Sequence, residues 1–313
     1  MTLLQTTNTT TNVPKHPKFH LPSLWKDLES RGETPELQIT SLPSLDRKIW
    51  GLKKGELLTL ASRTSQGKTT MAMQWAWDLA TQGKSVVVFS LEMTVNALLE
   101  RLFCHVEEID NQQLLIGKFA QYQEKRARFE EKIKEVPLLI TEGLGNKWSE
   151  VHKFISMIQP KPDCIILDHL GCISGGRVDR KIVNDYIYKL RAEAVKNNIA
   201  IVLLNQINRS SVTSQDNKDK RPSLEGLKES GSIEELSDKV VLLHHPFFYN
   251  QTLDREDYQI FIAKNRNGRV GHFKCKFDAR YYKFRDLFRE VVSPDGEIKE
   301  VVGIFKGKVL GKE

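Results

Sequence analysis

From about residue 39 the chain alternates short runs that are apolar throughout with longer stretches whose apolar positions recur every three or four residues. The runs cover 57–61, 85–90, 136–141, 164–167, 199–204 and 239–243. A strand that is apolar at successive positions needs cover on both faces, so this pattern predicts a mostly parallel sheet flanked by helices. The intervening stretches supply those helices. Residues 71–80 follow the first strand, Val95, Leu98, Leu99, Leu102 and Phe103 share one helical face, 121–135 forms a charged helix, and another spans about 184–197. After residue 250 the character changes. Two strand-like runs, 258–263 and 271–277, flank Asn265-Arg266-Asn267-Gly268, whose Asn-Gly predicts a hairpin turn.

The N-terminal segment follows a different rule. Residues 1–19 are polar and read as a tail, and then Leu21, Leu24, Trp25 and Leu28 recur at helical spacing before Arg31-Gly32. A helix over about 21–31 is too short to persist alone, so it must dock, either on its own domain or on a neighbouring subunit. The expected organisation is a tail and linker helix over 1–38, one α/β domain over 39–290, and a C-terminal tail over 291–313.

The 313 residues, 40% hydrophobic and 28% charged, suffice for a full globular core. Apolar stretches stop well short of the ~18 residues of a membrane span, and the polar start lacks a signal-peptide core, so the expectation is a cytoplasmic protein without a membrane partner. Cys104, Cys164, Cys172 and Cys275 show no metal or disulfide spacing and read as buried free thiols. His244-His245 has no carboxylate at ligand spacing, which argues against a metal there. A net charge of +7 favours a polyanionic partner without naming it.

The candidate chemistry starts at Ser62, Arg63, Thr64, Ser65, Gln66, Gly67, Lys68, Thr69 and Thr70, a Walker A phosphate-binding loop with its first glycine replaced by serine. A strand enters and a helix leaves, which turns backbone N–H groups and a helix N-terminus towards a phosphate. Lys68 would reach the β- and γ-phosphates, and Thr69 would hold Mg²⁺ through its hydroxyl. Serine at position 62 is a concern if the backbone there is left-handed. Asp168, ending the 164–167 strand, is a Walker B carboxylate for Mg²⁺ or else a turn former. Glu92 after the 85–90 strand is a general base for water or else an ordinary first-turn acid. Gln206 is placed to sense the γ-phosphate or the water.

These residues carry a resemblance. From about 39 to 284 the chain resembles the C-terminal ATPase domain of DnaB-type replicative helicases, within the RecA-like superfamily. The ordered motifs are W-G-L-K-K-G-E-L, R-T-S-Q-G-K-T, F-S-L-E-M followed by Arg101, I-I-L-D-H-L, N-Q-I-N-R, R-P-S-L-E-G-L-K-E-S-G-S-I-E and I-A-K-N-R-N-G. The resemblance implies a RecA-like P-loop core with a C-terminal β-hairpin region, ATP and Mg²⁺ as cofactors, and a homohexameric ring on single-stranded DNA. It makes Glu92 the catalytic base, puts Arg101 and Gln206 near the nucleotide, and makes Lys264 and Arg266 two cationic fingers that reach the next subunit's γ-phosphate. It assigns Lys228, Glu229 and Gly231 to a DNA-holding channel loop. Arg177, Arg180, Lys220 and Arg221 lie in basic or Gly-rich segments that either line the channel or are solvated loops.

Two departures stand out besides Ser62. His169 follows the Walker B Asp where tyrosine is frequent, and only about 38 residues precede the ATPase domain, against the family's usual helical N-terminal domain. The expectation is a stand-alone motor that takes primase and loader contacts from separate chains. Two other classes remain open: a RecA- or KaiC-like ring or filament ATPase that does not unwind, and a non-motor nucleotide-binding partner of a helicase.

Overall fold

The computed structural model describes residues 16–29, 31–142, 148–168, 180–207, 221–224, 226–227, 231–292, 298–305 and 308–310. It divides into two units, Met1–Thr34 and Pro35–Glu313. In the first, a 3₁₀ turn at Pro17–Phe19 leads into α1 (Leu21–Glu29). Leu21, Leu24, Trp25 and Leu28 form the apolar stripe that the spacing predicts, and all four are exposed.

The second unit is built on a nine-stranded sheet in the order β3-β2-β4-β5-β1-β6-β7-β8-β9. Six strands pair in parallel: β3 (Leu138–Glu142), β2 (Val86–Ser90), β4 (Cys164–Asp168), β5 (Ala200–Gln206), β1 (Leu57–Ser62) and β6 (Lys239–His244). The last three, β7 (Asp257–Asn265), β8 (Gly271–Asp278) and β9 (Lys283–Asp286), add on antiparallel. This is the RecA-like arrangement expected from the sequence: a mostly parallel sheet, helices on both faces and hairpins towards the C-terminus.

Each central strand divides its side chains between two cores. Leu58 and Leu60 of β1, with Val86 and Val88 of β2, pack beneath Met71, Trp75 and Leu79 of α3 (Lys68–Thr81). Leu57, Ala61, Val87 and Phe89 point the other way, towards Val151 and Ile155 of α7 (Trp148–Met157) and Ile187 and Leu190 of α8 (Arg180–Asn197). Burial on both sides is why these strands read as continuous apolar runs. The edge strand β3 is the exception: it spans 138–142 rather than 136–141, with partly exposed side chains.

Two further elements frame the site. The helix α2 (Pro43–Ile49) begins at a proline, and its Ser44 N–H and hydroxyl donate to Asp286 at 2.6 and 2.9 Å. Thr94 caps α4 (Val95–Glu107), its hydroxyl accepting from Ala97 N–H. The helices α5 (Asn111–Leu115) and α6 (Gln123–Glu135) follow, and α9 (Gly231–Leu236) precedes β6.

The 291–313 segment, read as a tail, instead contributes to a separate three-stranded antiparallel sheet of β10 (Phe288–Val292), β11 (Ile298–Phe305) and β12 (Lys308–Leu310). Cys104, Cys164 and Cys275 are buried free thiols, and Cys172 lies outside the described residues. No helix among the described residues is long and apolar enough to cross a membrane.

Candidate nucleotide site

The phosphate-binding loop leaves the end of β1 and turns into α3 within five residues. Its left-handed positions are Ser65 (φ 62°) and Gly67 (φ 79°). Ser62 is instead the last, fully buried residue of extended β1, in register with Gln206 of β5. The concern about a missing glycine at Ser62 therefore falls away, because no left-handed turn is required there. Its hydroxyl donates to Arg63 O at 2.9 Å. Glycine is needed at position 67, where a Cβ would come 2.9 Å from Phe284 Cζ.

Phe284 is a fixed floor under that loop. Gln74 of α3 clasps its backbone from the sheet's open edge. Phe284 N–H donates to Gln74 Oε1 at 2.8 Å, and Gln74 Nε2 donates to Phe284 O at 2.9 Å. Both residues are buried. The loop's shape thus depends on a clasp between residues 210 positions apart in sequence.

A cleft of about 180 Å³ opens above the loop. Residues 62–69 form its base, with Glu92, Met93, Arg101 and Gln206 on its walls. Glu92 sits two residues beyond β2, in a turn closed by Ser90, whose hydroxyl donates to Met93 O at 2.6 Å and accepts from Met93 N–H at 3.1 Å. Gln206 Nε2 donates to Thr64 Oγ1 at 2.7 Å, and Ile207 N–H donates to Ser62 O at 2.9 Å, so the end of β5 is strapped to the loop. Arg101 lies over the Tyr282 ring, 5.4 Å from its centroid. Beside it, a small recess is lined by Thr70, His105 and Tyr282. Burial lowers the His105 pKa to about 4, and its Nδ1 meets Tyr282 O at 3.3 Å, which fits a neutral ring with Nδ1 as donor.

The residues read as a metal pair meet below the cleft. Thr69 Oγ1 donates to Asp168 Oδ2 at 2.6 Å. Asp168 is 2% exposed, and its other oxygen, Oδ1, is buried with no hydrogen-bond partner among the described residues. An unpaired buried carboxylate oxygen beside a hydroxyl is a hard-oxygen pair that suits Mg²⁺ or its bound water.

Lys264 and Arg266 do not join this cluster. The antiparallel turn from β6 into β7 carries them to the opposite end of the sheet, where Asn265 pairs with Lys239, itself opposite Leu58. At about 3.3 Å per residue, Arg266 lies roughly 17 Å down the sheet from Ser62. There Lys264 Nζ donates to Glu234 O and, at 3.1 Å, to Glu235 O at the end of α9, and Arg266 Nη1 donates to Asp238 Oδ1 at 3.0 Å. Burial, and then the neighbouring Arg266 charge, lower the Lys264 pKa.

Of the expected DNA-facing positions, Lys228, Glu229, Arg177 and Lys220 lie outside the described residues. Arg180 and Gly231 open α8 and α9, and Arg221 is exposed. His244 and His245 are packing residues, stacked on Tyr249 and Tyr258 at 5.5 and 4.2 Å, and no group of three or more His, Cys, Asp or Glu side chains among the described residues is placed to hold a metal. Sequence reasoning missed Phe284, Gln74, Tyr282 and Asp238. An aspartate immediately before an apolar strand is a visible signal for the last, although phosphate chemistry directs attention to strand C-termini instead.

Comparison with known proteins agrees with this geometry. A family model described as the DnaB-like helicase C-terminal domain matches residues 39–286. The chain is 30% identical over 275 residues to the replicative DNA helicase DnaB of Geobacillus stearothermophilus, covering 83% of this chain and 60% of the relative. It is 29% identical over 255 residues to a probable plasmid replicative DNA helicase of Chlamydia psittaci, covering 78% and 54%. The chain thus spans little more than half the length of these relatives. Among solved structures, one of an ATPase domain by itself matches with a TM-score of 0.77 at 23% identity, covering 88% of this chain and 100% of that one. A DnaB-like replicative helicase, solved in a study of its interactions with primase, matches with a TM-score of 0.75 at 23% identity, covering 85% and 67%.

Proposed function

This chain belongs to the DnaB-like helicase C-terminal domain family, and from that premise we propose that it is an ATP-hydrolysing motor that assembles as a ring, in the family's usual size of six, on single-stranded DNA to unwind duplex during replication. The observation that carries the reading is the separation of the two halves of one catalytic site within a single chain. The loop, Glu92 and Arg101 meet at one end of the sheet, and Lys264 and Arg266 project from the other. Cations that cannot reach their own cleft suit the cleft of the next copy in a head-to-tail array.

In that arrangement the first-turn N–H groups of α3 and Lys68 bind the triphosphate, Glu92 accepts a proton from the attacking water, and Gln206 orients that water from its anchor on Thr64. Thr69 Oγ1 and Asp168 would hold Mg²⁺, which when bound would supply charge neutralisation for the phosphates. The partner copy's Arg266 and Lys264 stabilise charge on the transferred group. The segments around Arg177, Arg180, Lys220, Arg221, Lys228, Glu229 and Gly231 are assigned to the DNA backbone. The exposed apolar stripe of α1 is assigned to a neighbouring copy. Primase and loader contacts are assigned to other chains.

Subunit mixing tests the shared site. Lys68→Ala and Arg266→Ala proteins should each lack DNA-stimulated turnover, with Arg266→Ala still binding nucleotide. Mixed together, they should regain part of it, because an Arg266→Ala loop can face a Lys68→Ala chain that keeps its fingers. No recovery on mixing, or wild-type turnover by Arg266→Ala alone, sinks the shared site. Unwinding of a forked duplex with ATP separates a helicase from a ring ATPase that does not unwind.

A further inference from the structure

Asp238 is a buried carboxylate with more cationic partners than its burial needs. Its side chain is 3% exposed. Oδ2 accepts from Leu57 N–H at 2.9 Å, and its own N–H donates to Leu57 O at 2.8 Å, so the β1–β6 pair fixes it in place. Oδ1 accepts from two guanidinium groups, Arg191 Nη2 at 3.1 Å and Arg266 Nη1 at 3.0 Å.

The two arginines are held differently. Arg191, on α8, is 21% exposed and also donates to Gly55 O, so it is built into the fold. Arg266 is 51% exposed and reaches Asp238 through one nitrogen. The chain around Arg266 is pinned: its own N–H donates to Asp238 O at 2.9 Å, Asn265 Nδ2 to Lys48 O at 3.1 Å, and Asn267 Nδ2 to Glu56 Oε1 at 2.7 Å. The stem is fixed, and only the outer part of the side chain is free to swing.

We propose that Asp238 is a positioning residue that parks the Arg266 guanidinium until a triphosphate in the adjoining copy's cleft competes for it. Carboxylate and phosphate oxygens offer the same fork of N–H donors equivalent acceptors, so the exchange swaps one charge-assisted bond for another. Arg191 makes the exchange reversible. When Arg266 leaves, Asp238 keeps a counter-ion and is not left as a buried unpaired charge, the outcome that makes breaking most buried pairs so unfavourable. The parked state lowers apparent nucleotide affinity by the fraction of fingers it withholds. This inference rests on the shared-site reading above.

Two variants push in opposite directions. Asp238→Asn keeps an acceptor for Leu57 N–H but removes the charge, so it should release Arg266 and lower the KM for ATP about 2- to 5-fold, the range set by a half-exposed ion pair. Turnover at saturation should stay within about twofold. Arg191→Gln leaves Arg266 as the sole cation on Asp238, so it should tighten parking and raise KM by a similar factor. Binding of a non-hydrolysable ATP analogue should respond to Asp238→Asn only while Arg266 is present. A fall in kcat with KM unmoved, the same sign of KM change in both variants, no KM change in either, or an Asp238 effect that persists in Arg266→Ala overturns the proposal. Should Asp238→Asn not fold, the sign of the Arg191→Gln shift decides. Failure of the mixing experiment rejects the shared site itself, whatever Asp238 does.

Discussion

Gly67→Ala puts a single methyl group against a fixed surface and asks what the loop can give up. The backbone there has φ 79°, a conformation that costs an L-residue about 1–2 kcal/mol relative to glycine. The new Cβ would also sit 2.9 Å from Phe284 Cζ, inside the ~3.5–4.0 Å of a favourable carbon contact. Phe284 is 1% exposed and its ring packs against those of Tyr258 and Phe277 at centroid distances of 5.3 and 4.5 Å, so the ring tip has little room to retreat while the two Gln74 bonds hold its backbone. The loop therefore moves instead. An empty loop escapes by leaving the left-handed region, whereas a loop wrapped on phosphates cannot, so the strain falls on binding. A cost of about 1–2 kcal/mol corresponds to an affinity loss of roughly 5- to 30-fold.

Titration of a fluorescent ATP analogue measures that loss, with thermal unfolding as a check on the fold. Adding Phe284→Leu removes the ring atom but not the backbone strain, so the double variant should recover part of the affinity. Wild-type affinity in Gly67→Ala, or no recovery in the double variant, refutes the account of Phe284 as the floor of the loop.

The remaining predictions concern chemistry and pH. Glu92→Gln keeps the cleft's shape but removes the proposed proton acceptor, so pre-steady-state assays should find triphosphate bound and turnover reduced by about 10²- to 10⁴-fold, the usual span for a general base. Asp78 is buried on α3, where desolvation raises its pKa to about 6 despite the Ser41 N–H and hydroxyl that donate to it at 3.1 and 2.5 Å. With the folded value above the unfolded 3.8, the native state holds the proton more tightly, and Asp78's contribution to stability falls as pH rises from about 4 to 6. Urea unfolding across that range should show wild type losing about 3 kcal/mol relative to Asp78→Asn, and a flat difference would contradict the burial argument.

What could be read from the chain beforehand follows from the range of each interaction. The central strands were legible because burial on both faces leaves its mark residue by residue, as in Val86–Ser90. The loop, Glu92 and Gln206 were legible because they follow the strand ends that converge on one crevice, whereas Arg101, midway along α4, was flagged only by the family resemblance. The edge strand β3 starts two residues later than its apolar run, which begins at Val136, because Pro137 has no N–H to give a strand ladder and the apolar pattern does not register that loss. The Gln74–Phe284 clasp and the partners of Asp238 were not legible, since both join backbone or charge across large sequence gaps with no periodic signature; only the position of Asp238 before its strand showed. Ser62 misleads for a related reason: a motif says which residues surround a phosphate but not which of them carries the left-handed turn.

The placement of Arg266 at the far end of the sheet from Ser62 has an arithmetical consequence. If every complete site needs the loop of one copy and the fingers of the next, a monomer has none and an open row of n copies has n − 1. Only closure brings the number of sites level with the number of chains. Activity per chain then reports assembly directly, falling away on dilution faster than nucleotide occupancy does. A single departing subunit also leaves two unmatched half-sites at once, one loop and one pair of fingers, so the same geometry that divides the labour makes an opened ring idle at its gap.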